Sequence, residues 1–254
     1  MSGISSIVAF VIATIAVAGV AWIVSLATEQ LGLSFGPGPT GLLHSTLGNL
    51  PEFFVVIFAL GAGERTVAET AILGSILVNA LLVLGLVIVA GASRAGDGVM
   101  RFSPRLPNDT ATLLLLATFI IVLIGLTDAA RDPASHHTRT ISIIGAVAIL
   151  IVYAIWTVQY LRSGQDQPEA GERPRLSARA SATMLAAGAA ASAIVSDWFV
   201  HALRPTITTL HISQAFAGLV IVAIAGNAVE NVAGIALSYR GRAELAIAVV
   251  KNSV

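Results

Sequence analysis

Residues 4–27 carry no charged side chain, and neither do residues 110–127 or 140–161. A helix of roughly 20 apolar residues crosses the hydrocarbon core of a bilayer, so each of these stretches is long enough to span it. Residues 37–62, 67–93, 182–203 and 211–238 are also apolar, with a few polar interruptions. An eighth stretch begins near Ala243 and reaches Val254, about halfway across by the same rule. The first stretch lacks a positively charged leader and is followed by further spans, so it reads as a permanent helix rather than a cleaved signal. The expected fold class is therefore all-α, a polytopic membrane protein with lipid as its main partner.

Composition agrees. Charged residues make up 11% of the chain, against about 25% in soluble domains. The formal net charge is zero, so no basic surface suggests nucleic acid. Cys is absent, which excludes disulfides, thiolate metal sites and Cys nucleophiles and leaves oxygen-rich sites as the main metal option. A Glu- and His-based intramembrane hydrolase is disfavoured, because neither HExxH nor G-x-S-x-G occurs.

The loops give an orientation. Those after spans one, three, five and seven hold nine Arg residues, and the opposite loops hold four, Arg65, Arg131, Arg139 and Arg204. Positive loops stay cytoplasmic, which places the N-terminus outside and suggests that a leading helix is missing. Residues 162–181 form a polar stretch that reads as a flexible cytoplasmic linker.

The chain also repeats itself. Gly48-Asn49-Leu50-Pro51-Glu52 recurs 178 residues later as Gly226-Asn227-Ala228-Val229-Glu230, each followed by an apolar helix. Ser75 and Ser253 stand at the same offset, and a Trp precedes each motif one helix earlier, Trp22 and Trp198. Five spans separate equivalent elements, so the second copy enters the membrane from the opposite side. Inverted repeats of this kind are common in secondary transporters, with the binding site at the repeat interface near the midplane. The expected division is a first repeat over 1–161, the linker 162–181, and a partial second repeat over 182–254.

The segments GLLHSTLGNLPEFFVVIFAL, GSILVNALLVLG and GLVIVAIAGNAVENVAGIAL resemble the α-repeats of cation/proton exchangers in the Ca²⁺:cation antiporter superfamily, from about Val11 to the last residue. The resemblance implies inverted five-helix repeats of the sodium/calcium exchanger type, the second incomplete, with further helices expected after Val254. It implies calcium/proton antiport, no cofactor beyond the transported Ca²⁺ and H⁺, and Glu52 and Glu230 as the residues that bind cation and exchange protons. Asn49, Asn227, Ser75 and Asn79 would flank them, with Ser253 as the second-repeat partner of Ser75. The sequence departs from the family at His44, where Asn is usual, and at Lys251-Asn252 before Ser253.

The residues support that chemistry. A mid-membrane carboxylate costs at least about 2.5 kcal/mol, and two in equivalent contexts argue for function over a structural hydrogen bond. Calcium takes six to eight oxygen ligands, and two carboxylates would neutralise it. Asn49 and Glu52 share a helix face, as do Asn227 and Glu230. Gly48 and Gly226 admit another backbone closely. Pro51 lacks an N–H, which makes the Leu47 carbonyl a candidate ligand. A carboxylate withdrawn from water is stable when protonated or paired with a cation, so protons and cation should compete. Helix–helix hydrogen bonding is the rival role for the Asn and Ser residues.

Glu69 and Glu244 read as helix-start residues, and Asp197 with His201 as a hydrogen-bonded pair near the membrane boundary. His136 and His137 read as solvated loop residues. Alternatives that keep the fold are an exchanger for Na⁺ or Mn²⁺, or a truncated, inactive membrane protein that assembles with partners. A prokaryotic-type plasma membrane fits the compact loops, and a homo-oligomer is compatible with the sequence.

Overall fold

The computed structural model describes residues 3–34, 46–102, 105–163 and 174–252. All regular structure among them is helical. In chain order the helices are α1 (Gly3–Leu33), α2 (Leu50–Gly61), α3 (Arg65–Arg94), α4 (Arg105–Ala129), α5 (Thr138–Ser163), α6 (Ala178–Leu210), α7 (Gln214–Gly226), α8 (Ala228–Tyr239) and α9 (Ala243–Asn252). Among the described residues, four helices are long and apolar enough to cross a membrane, or five if the bent pair α7–α8 is one span. Large apolar side chains such as Ile15, Trp22, Leu81, Val89, Ile194 and Trp198 are exposed, as a lipid-facing surface requires.

The chain divides into two compact units, Met1–Phe102 with Asp166–Val254, and Ser103–Gln165. The smaller unit is a helical hairpin. Asp132 caps its 3₁₀ connection Pro133–His137 by accepting from the Ala134 N–H at 2.9 Å, and Gly145 of α5 lies against Ile120 of α4.

In the larger unit the internal repeat persists residue for residue. The bounds of α2 and α8 differ by 178 at both ends, as do the starts of α3 and α9. The corner between each pair uses the same bonds. Gly63 N–H reaches Leu60 O at 3.1 Å and Gly241 N–H reaches Ser238 O at 2.9 Å, while the N–H of Glu64 and of Arg242 reach back to Ala59 O and Leu237 O. Both corner glycines adopt the left-handed conformation, φ +79° and +80°, which an L side chain enters only at a cost.

The equivalent helices α1 and α6 pack along their length and run antiparallel. At one end Ser6 Oγ meets Thr209 Oγ1 at 3.2 Å, and Thr206 Oγ1 donates to Ser6 O. Further along, the Phe10 ring is tilted by 41° against Phe199 at 5.1 Å and Gly188 lies against Val24. At the other end Gln30 Oε1 accepts from the backbone N–H of Arg175 and Leu176. Equivalent helices in opposite directions are what an inverted repeat produces. The buried face of α6 includes Leu185, Gly188, Ser192, Ser196, Phe199, Leu203 and Thr206, the mix of small and apolar residues that lets membrane helices approach closely.

Two expectations need correction. The spans drawn at 37–62 and 211–238 are not continuous helices. Fresh helices start at Leu50 and Ala228, and α7 and α8 are bent by 56°. The residues at the breaks, Asn49 (φ −90°, ψ 14°) and Asn227 (φ −97°, ψ 17°), share one bridge-region conformation. Pro51 does not cause this, because Val229 stands at its place in the second repeat. Pro51 is in the first turn of α2, where no backbone N–H needs a helical partner.

Gly63→Ala and Gly241→Ala are each expected to destabilise the protein by about 1–2 kcal/mol. Gly19→Ala, inside α1 with open space around the new methyl, should stabilise it by about 0.5–1 kcal/mol. Thermal unfolding in detergent checks the three signs.

Candidate functional site

Each of the two helix breaks leaves a glutamate in the first turn of the helix that follows, Glu52 on α2 and Glu230 on α8. Glu52 Oε1 reaches the side chain of Asn227, three residues before Glu230, so the two first turns converge on one amide. Glu230 is buried, and among the described residues its Oε2 has no hydrogen-bond partner.

Asn227 is the hub between the repeats. Its Nδ2 donates to Ser75 Oγ at 2.9 Å and to Ala223 O at 2.9 Å, with a longer 3.4 Å contact to Glu52 Oε1. Its Oδ1 accepts from Asn79 Nδ2 at 2.8 Å. Four residues expected from the sequence therefore form one network: Glu52, Ser75 and Asn79 from the first repeat, and Asn227 from the second. Asn79 and Asn227 are fully buried. An amide NH₂ has two hydrogens, and three acceptors face this one, so the group is shared rather than saturated.

The local backbone makes the network possible. Asn79 lies in a π-helical turn, Val78–Val83, and a second π-turn, Ala217–Val222, precedes Asn227. Such turns are often found at functional sites. The first contains Asn79 itself, and the second ends five residues before Asn227. Glycine then closes the gap between α3 and α7. A Cβ on Gly74 would fall on the Leu219 carbonyl, and one on Gly218 would strike Thr70 and the α3 backbone. Only backbone-to-backbone packing brings Asn227 within reach of Ser75 and Asn79. Gly226 faces the Glu52 side chain, whose Cγ lies 3.6 Å from where its Cβ would be.

The remaining expected residues lie around this core. Asn49 is half-buried and caps α2 with no side-chain bond to the helix end. Gly48 is buried beside it. Leu47 packs its side chain on Val24, Ala27 and Leu185. Ser253 and His44 fall outside the described residues. Away from the site, Asp197 and His201 form the expected pair at 3.4 Å. Glu69 pairs with Arg65 at 3.9 Å on the exposed first turns of α3, and Glu244 starts α9.

Sequence reasoning did not single out Ser196. It is fully buried on α6 and donates to the Pro51 carbonyl at 3.1 Å, which fastens the turn bearing Glu52 to the long helix. The available signal was the spacing of Gly188, Ser192 and Ser196, small residues four apart on one helix face.

Known proteins share this architecture. Residues 5–161 and 180–253 match the sodium/calcium exchanger protein family. The vacuolar calcium ion transporter of Schizosaccharomyces pombe is 32% identical over 96% of this chain and 61% of that protein. The Ca²⁺/H⁺ antiporter ChaA of Bacillus subtilis is 28% identical over 98% of this chain and 72% of that protein. The structure of native YfkE superposes with a TM-score of 0.71 at 25% identity, covering 96% of this chain and 71% of that one. That of the H⁺/Ca²⁺ exchanger CAX gives 0.71 at 17% identity, covering 98% and 64%, a likeness of fold. The chain thus spans about three-fifths of the length of the yeast relative. With the family matched over most of its residues, around a paired-glutamate site at mirrored helix breaks, the chain belongs to the sodium/calcium exchanger family of multi-pass membrane proteins.

Proposed function

We propose that this protein exchanges Ca²⁺ for H⁺ across a membrane through Glu52 and Glu230. The observation that carries the reading is the mirrored carboxylate pair at two helix breaks, joined through Asn227 to Ser75 and Asn79. Relatives named as a calcium ion transporter and as Ca²⁺/H⁺ antiporters support the choice of ion. The compact loops support a prokaryotic-type plasma membrane, and the vacuolar relatives make an organelle membrane the rival location.

The mechanism follows from electrostatics. Two ionised carboxylates side by side and away from water repel each other and lack solvation. Protons on the glutamates relieve that repulsion, and so does one divalent cation between them. The two therefore compete for the same oxygens, and the empty pair is the state to be avoided during the switch between sides. Ser75, Asn79, Asn49, Asn227 and Ser253, with carbonyls near Leu47, Gly48 and Gly226, are the proposed further oxygens of a six-to-eight-coordinate calcium.

In the arrangement seen here, the Asn227 NH₂ points toward Glu52 and its oxygen toward Asn79. N–H hydrogens repel a cation. Calcium at Glu52 therefore requires the Asn227 side chain to turn its oxygen inward and give up the Asn79 bond.

Proton-gradient-driven ⁴⁵Ca²⁺ uptake into inverted vesicles tests the reading. Uptake is expected to collapse when the gradient is dissipated and to be lost in Glu52→Gln and in Glu230→Gln. Persistent uptake in both variants would falsify the assignment. Competition by Na⁺ or Mn²⁺ stronger than by unlabelled Ca²⁺ would redirect it to another cation.

Asn227→Leu removes a buried hub and leaves Ser75 and Asn79 without its partners. It is expected to destabilise the protein by about 2–3 kcal/mol and to abolish exchange. Asn227→Asp restores the oxygen but adds a third charge, and it should fold at low pH better than at high pH. Melting curves across pH read this directly, and equal stability at both ends would argue against a dry, charge-intolerant site.

A further inference from the structure

The first turn of α8 holds an oxygen that the network around Asn227 does not use. Asn231 directly follows Glu230, and its N–H closes that turn by donating to Asn227 O at 3.0 Å. Among the described residues its side-chain Oδ1 is closed off from solvent and meets no donor, and the same is true of Glu230 Oε2. Buried acceptors without a donor are uncommon and bear their full desolvation cost. A bilayer offers no water to lessen it. Two such oxygens on consecutive residues call for a positive group. Neither α8 nor the stretch of α3 from residue 70 to 93 has a basic side chain to supply one.

The contacts of α8 show which way Asn231 faces. Asn227, Asn231, Gly234 and Ser238 are spaced four, three and four residues apart, which puts them on one helix face. Asn227 bonds Ser75 and Asn79 of α3, and Ser238 Oγ donates to the Val87 carbonyl of α3 at 2.6 Å. Between them, Val87 Cγ2 lies 3.2 Å from where a Cβ on Gly234 would be. Asn231 is therefore on the α3 side of α8, one turn from Asn227 and opposite the stretch of α3 between Asn79 and Val87. The internal repeat does not announce it, because Phe53 stands at the equivalent position and is 56% exposed.

Resting on the exchange reading above, we propose that Asn231 is a further oxygen ligand of the transported divalent cation, beside Glu230. A neutral amide oxygen adds a coordination bond without adding charge. It therefore strengthens the cation-loaded form and leaves the charge balance with protons unchanged. Calcium, which takes six to eight oxygens, has room for it alongside two carboxylates.

The sign of the stability change separates a ligand from a structural hydrogen bond. Asn231→Leu removes an oxygen that has no donor to lose when the cation is absent. The melting temperature of the calcium-free protein in detergent should therefore stay level or rise. The further rise on adding Ca²⁺ reports binding. The apparent Kd taken from it should weaken at least about tenfold in Asn231→Leu, the scale of losing one contact to a charged group. Asn231→Asp, which returns the oxygen with a charge, should bind calcium at least as tightly as the parent protein.

A calcium-free melting temperature several degrees lower in Asn231→Leu would reveal a structural partner and overturn the assignment. A calcium shift that is lost in Glu230→Gln but kept in full by Asn231→Leu would sink the role of Asn231 alone. No calcium shift in the parent protein would sink the exchange reading, and this ligand with it.

Discussion

The larger unit is arranged around two glutamates, Glu230 buried and Glu52 half-buried, in a phase that penalises a bare charge. A bilayer supplies neither hydrogen bonds nor counter-ions, so the protein must bring donors to the pair or let a proton or cation sit on it. Breaking two helices at equivalent points meets part of that need. A helix start turns free N–H groups toward whatever stands there, and Glu52 and Glu230 each occupy the first turn after a break. Asn227, both a break residue and the donor shared by Ser75 and Glu52, connects the backbone solution to the side-chain one.

That solution demands close packing. An amide reaches only about 3 Å to its partners, so α7 must lie against α3 with no side chain between them. Gly74 and Gly218 provide the contact. The same logic runs along α6, where Gly188, Ser192 and Ser196 keep the long helix near α1 and α2, and the Ser196 hydroxyl secures the Pro51 carbonyl. Small residues in the lipid phase act as spacers that set how near functional groups can come. They carry none of the chemistry, yet a methyl group at Gly218 would separate the groups that do.

The paired glutamates and the inverted architecture were legible because a repeat writes its own evidence twice. Glu52 and Glu230 sit in matching strings, and the corners at Gly63 and Gly241 match in bond pattern as well. The helix breaks were less legible. Apolar composition runs through Asn49 and Asn227 without a change in hydropathy, and Pro51 marks only one of the two breaks, since Val229 stands at its place in the other. Least legible were contacts between residues far apart in sequence with no repeat to announce them. Arg204 read as a loop charge useful for orientation, and only its approach to Glu64, 140 residues earlier, gives it a role. Ser196 was hidden for the same reason, since its partner is a backbone carbonyl, which sequence does not display.

The departures from symmetry carry as much information as the symmetry. The repeats agree at the breaks, the glutamates and the glycine corners, and they disagree in the side chains that fasten these elements to their neighbours. Pro51 with its Ser196 anchor faces Val229 and Ala18, and Glu64 with Arg204 faces Arg242 and Leu26. A perfectly symmetric pair of repeats would give two states of equal energy and no preferred side. The Ser196–Pro51 and Glu64–Arg204 contacts fasten α2 to α6 through residue types that do not recur at the equivalent positions of the other repeat, so the two halves reach similar backbones by different side-chain chemistry.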